Sequence, residues 1–392
     1  MPRPRARDLG LLLGDLLPGP ENAITDVAGV RVGHTTLYRG EGPLRPGEGP
    51  VRTGVTVILP HDGNLFREKV PAAVHTINGF GKATGFEQVR ELGTLEAPIA
   101  LTNTLNVGLV ADALVQHAIR QSPEIGIQTG SVNVVVGECN DGYLNDLQGR
   151  HVRAEHVWAA LEAAAAGPVD EGSVGAGTGT RGFSWKAGIG TASRVLPADW
   201  GAFTVGALVQ TNMGRPGDLL LAGFPVGRHL RPPEPVSVFG SSSPSAAQGG
   251  TACGFGKGET AGTKGGSIMI VLATDAPLTT HQLRRLGVRV AAGLARTGST
   301  LGHSSGDFVI AFSTACRLPH KPSTLTIEVP MVVDGRVLSR LFQAVVESVE
   351  EAVVNSLFRA ETVVGRDGHT SYALPAEEAV ALVGDRVSAD GV

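Results

Sequence analysis

Ser, Gly, Ala and Thr dominate residues 240–266, which include nine glycines and almost no large apolar side chain. They stop abruptly at residues 267–274 (SIMIVLAT), one of the most apolar runs in the chain. A structureless stretch this long is unusual inside a compact domain, and is normally a linker or a functional loop. What flanks it argues against a boundary between domains. Before it, β-rich runs at residues 23–32, 54–59, 131–136 and 203–209 alternate with helical periodicity at 106–122 and 153–166. After it come apolar runs at 267–274, 308–313 and 325–333, with helices expected from about residue 280 and over 337–360. Residues 175–194 are dense in glycine, which predicts hairpins rather than helix. One α/β layered domain over residues 1–392 explains this alternation better than two separate domains.

Composition narrows the function. Gly (54) and Pro (24) make up about 20% of 392 residues, and the hydrophobic fraction is 42%, so the chain can bury a core. Charged residues are only 18% and the net charge is −4, which provides no electrostatic footprint for nucleic acid or an anionic membrane. Neither is expected as a partner. Cys139, Cys253 and Cys316 stand far apart, which argues against a disulfide framework and for a reducing, cytoplasmic setting. The N-terminus imitates a signal peptide, but Asp15 interrupts its apolar run and no small-residue cleavage pattern follows. No stretch reaches the ~18 apolar residues of a membrane span.

Several cofactor signals fail. Gly177, Gly179 and Gly182 fit G-x-G-x-x-G, but Phe183-Ser184-Trp185 follows in place of a helix. There is no Walker A motif, no G-x-S-x-G elbow, and no HExxH among eleven histidines. No cofactor and no metal are expected.

The junction Lys264-Gly265-Gly266-Ser267-Ile268 is the most informative point in the chain. Cleavage between Gly266 and Ser267 would give Ser267 a free α-amine beside its own hydroxyl, placing nucleophile and base in one residue. Gly266 has no Cβ to hinder that hydroxyl from reaching its carbonyl. By itself the junction also fits a Gly-Gly turn ahead of a strand.

Seven ordered stretches go further: NAITDVAGVRVGHTTL, EAPIALTNTLNVG, VVGECNDGYLND, GAGTGTRGFSWKAGIGTASR, VQTNMGRPGDLLLAGFPVG, GGSIMIVLATDAPL and GHSSGDFVIAFST. Together they resemble the L-aminopeptidase/D-esterase and β-peptidyl aminopeptidase family of self-cleaving N-terminal-serine hydrolases. The resemblance implies an αββα sandwich like that of N-terminal-nucleophile hydrolases. It also implies cleavage into chains 1–266 and 267–392 that stay associated, and assembly as a homotetramer of processed heterodimers.

The resemblance also assigns roles to residues. Ser267 would attack an amide carbonyl, and Asn212, at a strand end before Gly214 and Pro216, would donate to the oxyanion. Ser305 and Asp307, two apart, would form a hydroxyl relay backed by a carboxylate, with Asp where some relatives carry Glu. Glu138 would receive the substrate's free amine, beside Asn140 where some relatives place an aromatic residue. His303, close to the relay, reads as a pocket-lining residue rather than the base. The expected activity is removal of the N-terminal residue from short peptides, amino-acid amides or esters, with β-peptides among the candidates. An alternative is a same-fold amidase on a non-peptide amide such as a pantetheine-like substrate. A third reading is a related acyltransferase-like or binding protein that never cleaves itself.

Overall fold

The structure, a computed structural model, describes residues 2–233 and 266–389, the last five by backbone alone. The glycine-rich arm up to residue 265, with Cys253, lies outside the described residues.

Two sheets form the framework. The four-stranded sheet orders β1 (Arg31–Arg39), β2 (Val51–Leu59), β4 (Ile99–Asn103) and β5 (Val135–Cys139). Its first pairings are antiparallel, and β5 joins β4 in parallel. The seven-stranded sheet is built on β3 (Glu68–Gly79), β6 (Ile189–Val195), β7 (Thr204–Asn212), β8 (Ser267–Thr274) and β9 (Gly306–Ser313). In it β8 lies between β7, antiparallel, and β9, parallel.

Side-chain alternation stacks the layers. Along β8, Ile268, Ile270 and Leu272 join the core shared with helices α3 (Thr280–Arg296) and α4 (Gly335–Phe358). Met269, Val271 and Ala273 point the other way, into the core between the sheets. The outer face of the smaller sheet packs Val55, Val57 and Val136 against α1 (Val107–Gln121) and α2 (Ala154–Glu162). Four layers result, in the order helices, sheet, sheet, helices. Gly137 on β5 lets the sheets approach closely, since a Cβ there would lie 2.1 Å from Met269 Cε.

Local signals set several element ends. Thr279 caps α3: its Oγ1 accepts the Gln282 N–H at 3.2 Å, and Gln282 Oε1 accepts the Thr279 N–H at 3.0 Å. Leu283, Leu286, Val290 and Leu294 then form its buried stripe.

Three expectations are corrected. Residues 23–32 are not one strand: Asp26 accepts the N–H groups of Glu21 and Ala23, which makes a turn, and β1 starts at Arg31. The strand expected at 131–136 is instead β5, because the Asn133 N–H goes to Glu96 Oε1 at 2.7 Å and pairing with β4 begins at Val135. Residues 325–333 form no strand. Leu325, Ile327, Val329, Met331 and Val333 are exposed, and no described strand lies alongside to complete a ladder.

Candidate active site

Ser267 opens β8, and the register places it opposite Asn212, the last residue of β7, and opposite Gly306, the first of β9. Its side chain is 6% exposed. Asn212 Nδ2 donates to Ser267 Oγ at 3.2 Å. The amide is oriented by its other end, where Oδ1 accepts the Arg181 N–H at 3.2 Å. On the opposite side of β8, the Gly306 N–H donates to the Gly266 carbonyl at 3.1 Å. The bond ahead of Ser267 therefore carries a polarised carbonyl.

Cys139 is a buried neighbour whose thiol donates to the Gln210 carbonyl at 3.3 Å. Burial holds that thiol well above its usual range, despite a hydrogen bond with Ser267 that acts the other way. It stays neutral and does not compete as a nucleophile.

Ser305 Oγ donates to Asp307 Oδ1 at 2.6 Å, as two residues on one face of an extended segment allow. Asp307 Oδ2 is buried with no partner among the described residues. Burial pushes this carboxyl up to about 6, while the Ser305 hydrogen bond lowers it. Among the described residues, the pair makes no hydrogen bond with the Ser267 hydroxyl. It abuts the preceding residue instead: a Cβ on Gly266 would lie 3.2 Å from Ser305 Oγ.

Glu138 lies within β5, not in a loop beyond it, and is 4% exposed. Its Oε1 accepts the Lys82 N–H at 3.0 Å and its Oε2 accepts the Thr104 hydroxyl. Glu138, Asn212, Gly266, Ser267 and Ser305 all line one cavity of about 480 Å³. Asn140 also lines it, turned back to accept the Gly142 N–H at 2.8 Å. His303 is exposed and outside the lining, which corrects the expectation that it faces the pocket. Four of the five residues singled out for chemistry, Ser267, Asn212, Ser305 and Glu138, thus share one chamber, and the fifth, Asp307, is fully buried behind Ser305, outside the lining.

Sequence reasoning missed the parts that hold them. Asn78 Nδ2 donates to the carbonyls of Gly302 (3.2 Å), His303 (2.9 Å) and Ser305, pinning the loop that carries Ser305. A hairpin, Arg181–Gly182 paired with Trp185–Lys186, turns through Phe183 (φ 52°) and Ser184 (φ 66°). The Phe183 N–H donates to the Met213 carbonyl at 2.7 Å, tying that hairpin to the residue after Asn212. Gly214, at φ +88°, leaves room: a Cβ there would lie 2.4 Å from the Phe183 ring. The one available signal was the glycine two places after Asn212.

Known proteins resemble this chain along nearly its whole length. The profile of Peptidase family S58 matches residues 22–371. The β-peptidyl aminopeptidase BapA of Sphingosinicella microcystinivorans is 42% identical over 380 residues, covering 97% of this chain and 92% of that protein. A crystal structure from Pyrococcus horikoshii OT3 matches with a TM-score of 0.86 at 45% identity, over 98% of this chain and 99% of that one. The L-aminopeptidase D-Ala-esterase/amidase of Ochrobactrum anthropi, described as a variant of the Ntn hydrolase fold, matches with a TM-score of 0.84 at 39% identity. It covers 98% of this chain and 99% of its own. With its layered sheets, and with this likeness along nearly its whole length, the chain belongs to peptidase family S58 and has the N-terminal-nucleophile hydrolase fold.

Proposed function

We propose that this aminopeptidase cleaves its own Gly266–Ser267 bond and then uses Ser267 to hydrolyse the N-terminal residue of short peptides, amino-acid amides or esters. The observation that carries this reading is the Asn212 Nδ2 donor 3.2 Å from Ser267 Oγ, in a cavity that also holds Glu138.

In maturation, Ser267 Oγ attacks the Gly266 carbonyl, whose oxygen accepts from Gly306. The C–N bond breaks, the nitrogen takes the hydroxyl proton, and an ester joins Gly266 to Ser267 Oγ. Water hydrolyses that ester. The products are chain 1–266, ending in a carboxylate, and chain 267–392, beginning with a free amine.

In turnover, the substrate's ammonium pairs with Glu138, which fixes cleavage to the terminal residue. The new α-amine takes the proton of Ser267 Oγ as it attacks, and passes it to the leaving amine. Asn212 donates to the oxyanion, and water then releases the acyl group. Ser305, beside Gly266 and backed by Asp307, would hold the freed amine in orientation. Glu138 favours an amine-bearing substrate over a pantetheine-like amide, and β-peptides belong in the substrate range because the curated relative named above is a β-peptidyl aminopeptidase.

We further infer that the processed heterodimers assemble, as homotetramers, in the cytoplasm. The exposed apolar residues from Leu325 to Val333 support assembly, and the free thiols of Cys139 and Cys316 suit a reducing compartment. Among the described residues no helix is long and apolar enough to cross a membrane. Assaying the purified protein on α- and β-amino-acid p-nitroanilides, with N-acetylated versions as controls, tests the central reading. Cleavage of the acetylated compounds at equal rates would remove the aminopeptidase mechanism proposed here.

A further inference from the structure

Among the described residues, the cavity around Ser267 is lined by one carboxylate, Glu138, and by four cationic side chains, Lys82, Arg181, Arg215 and Arg366. These charges are kept apart. Among the described residues no cationic group lies within 4.0 Å of the Glu138 carboxylate, which is held by a backbone N–H and a hydroxyl. Arg366 has its own partners, Asp367 at 2.8 Å and the Gly142 carbonyl at 2.7 Å.

Arg181 is different. Its guanidinium stacks 3.9 Å from the centre of the Tyr143 ring, and one nitrogen donates to the Ser184 carbonyl at 3.0 Å. Its Nε is buried with no hydrogen-bond partner, and no carboxylate pairs with it among the described residues. Arg181 is half-buried, and a cation partly withdrawn from water with no counter-charge gains from a ligand that supplies one. The location fits a ligand at the reacting centre, because the Arg181 N–H is the group that orients Asn212. Stacking on Tyr143 holds the guanidinium plane, and with Nη2 given to Ser184, Nη1 has no partner among the described residues and is left to donate to a carboxylate.

We propose that Arg181 receives a carboxylate on the leaving part of the substrate, so that the enzyme selects short peptides charged at both ends. Glu138 takes the ammonium and Arg181 the carboxylate, with the scissile carbonyl between them at Ser267. The inference rests on Ser267 being the nucleophile. The carboxylate has two possible sources, the C-terminus of a dipeptide or an acidic side chain in the second residue.

The test compares kcat/KM of the mature enzyme on β-alanyl-alanine, its C-terminal amide, and β-alanyl-aspartic acid amide carrying only a side-chain carboxylate. The free acid is expected to exceed the neutral amide by about 10- to 100-fold, the usual worth of a charged hydrogen bond. Arg181→Met should bring that ratio close to one, and Arg181→Lys should keep part of it. A fast aspartyl amide assigns the site to side-chain carboxylates as well, and a slow one to the C-terminus alone. An acid-to-amide ratio near one in the wild-type enzyme overturns the proposal without any variant having to fold. So does a ratio that survives in Arg181→Met. Turnover of the amide by Ser267→Ala would instead overturn the nucleophile assignment, and the ratio would still judge Arg181 separately.

Discussion

Asn212 and Ser267 face each other across paired strands, with Nδ2 of the one 3.2 Å from Oγ of the other. The Gly266 carbonyl, on the other side of β8, is held by the Gly306 N–H at 3.1 Å. In the mechanism proposed above, maturation and turnover therefore draw on different donors. The hydroxyl is the same in both, but the oxygen that gains charge is met by a backbone group in the first and by an amide side chain in the second.

Asn212→Ala separates the two steps. The expected loss in kcat is about 10²–10³, or roughly 3–4 kcal/mol, with little change in KM, because a ground-state carbonyl needs the donor less than an oxyanion does. Maturation, followed on a denaturing gel, should slow much less. A normal kcat with weakened binding would make Asn212 a substrate contact.

Ser267→Ala removes the only group proposed to open the Gly266–Ser267 bond. Intact-mass measurement should then show the full chain alone, where the wild-type protein is expected to show 266- and 126-residue chains (392 − 266). Cleavage at the same bond in the variant would assign processing to another group.

Glu138→Gln keeps the shape and one acceptor oxygen, able to take the Lys82 N–H, while removing the charge. For amine-bearing substrates kcat/KM should fall by about 10- to 100-fold, the range expected for a lost charged hydrogen bond. An amide lacking the amine should change little. Equal losses on both would end the assignment of Glu138 to the amine.

Asp307 predicts an acid limb in the pH profile. Its carboxyl titrates at about 6, chiefly through burial, so above that pH it is an anion that accepts the Ser305 hydroxyl, and below it that acceptor is lost. Activity should fall as pH drops through about 6, and Asp307→Asn should lose this limb along with most activity. Stability responds in the opposite sense. Because the folded value lies above the ordinary 3.8, folding is favoured by this group below 3.8 and that contribution is lost as pH rises through about 6. A limb centred near the ordinary carboxylate value would show that the group is not buried in the working enzyme.

Much of this molecule is legible without coordinates because the relevant signals are local. The strand over 267–274 and the helix from Thr280 appear with the expected bounds, since period-two and 3.6-residue patterns act within one element. The pairing of Ser305 with Asp307 follows from their spacing of two. Ser267, Asn212 and Glu138 are named by motifs that the sequence itself contains. Other features had no local signal. Glu138 belongs inside β5 because its register is set by β4, more than thirty residues earlier in the chain. Residues 325–333 have a strand's alternation, but a ladder needs a neighbouring strand, and none of those described lies beside them. Asn78 and Arg181 look like ordinary surface residues until β3 and the hairpin bring them to the loop and the cavity. Periodicity is written in each segment by itself, whereas the partner of a strand edge or of a charge is decided only when distant segments pack together.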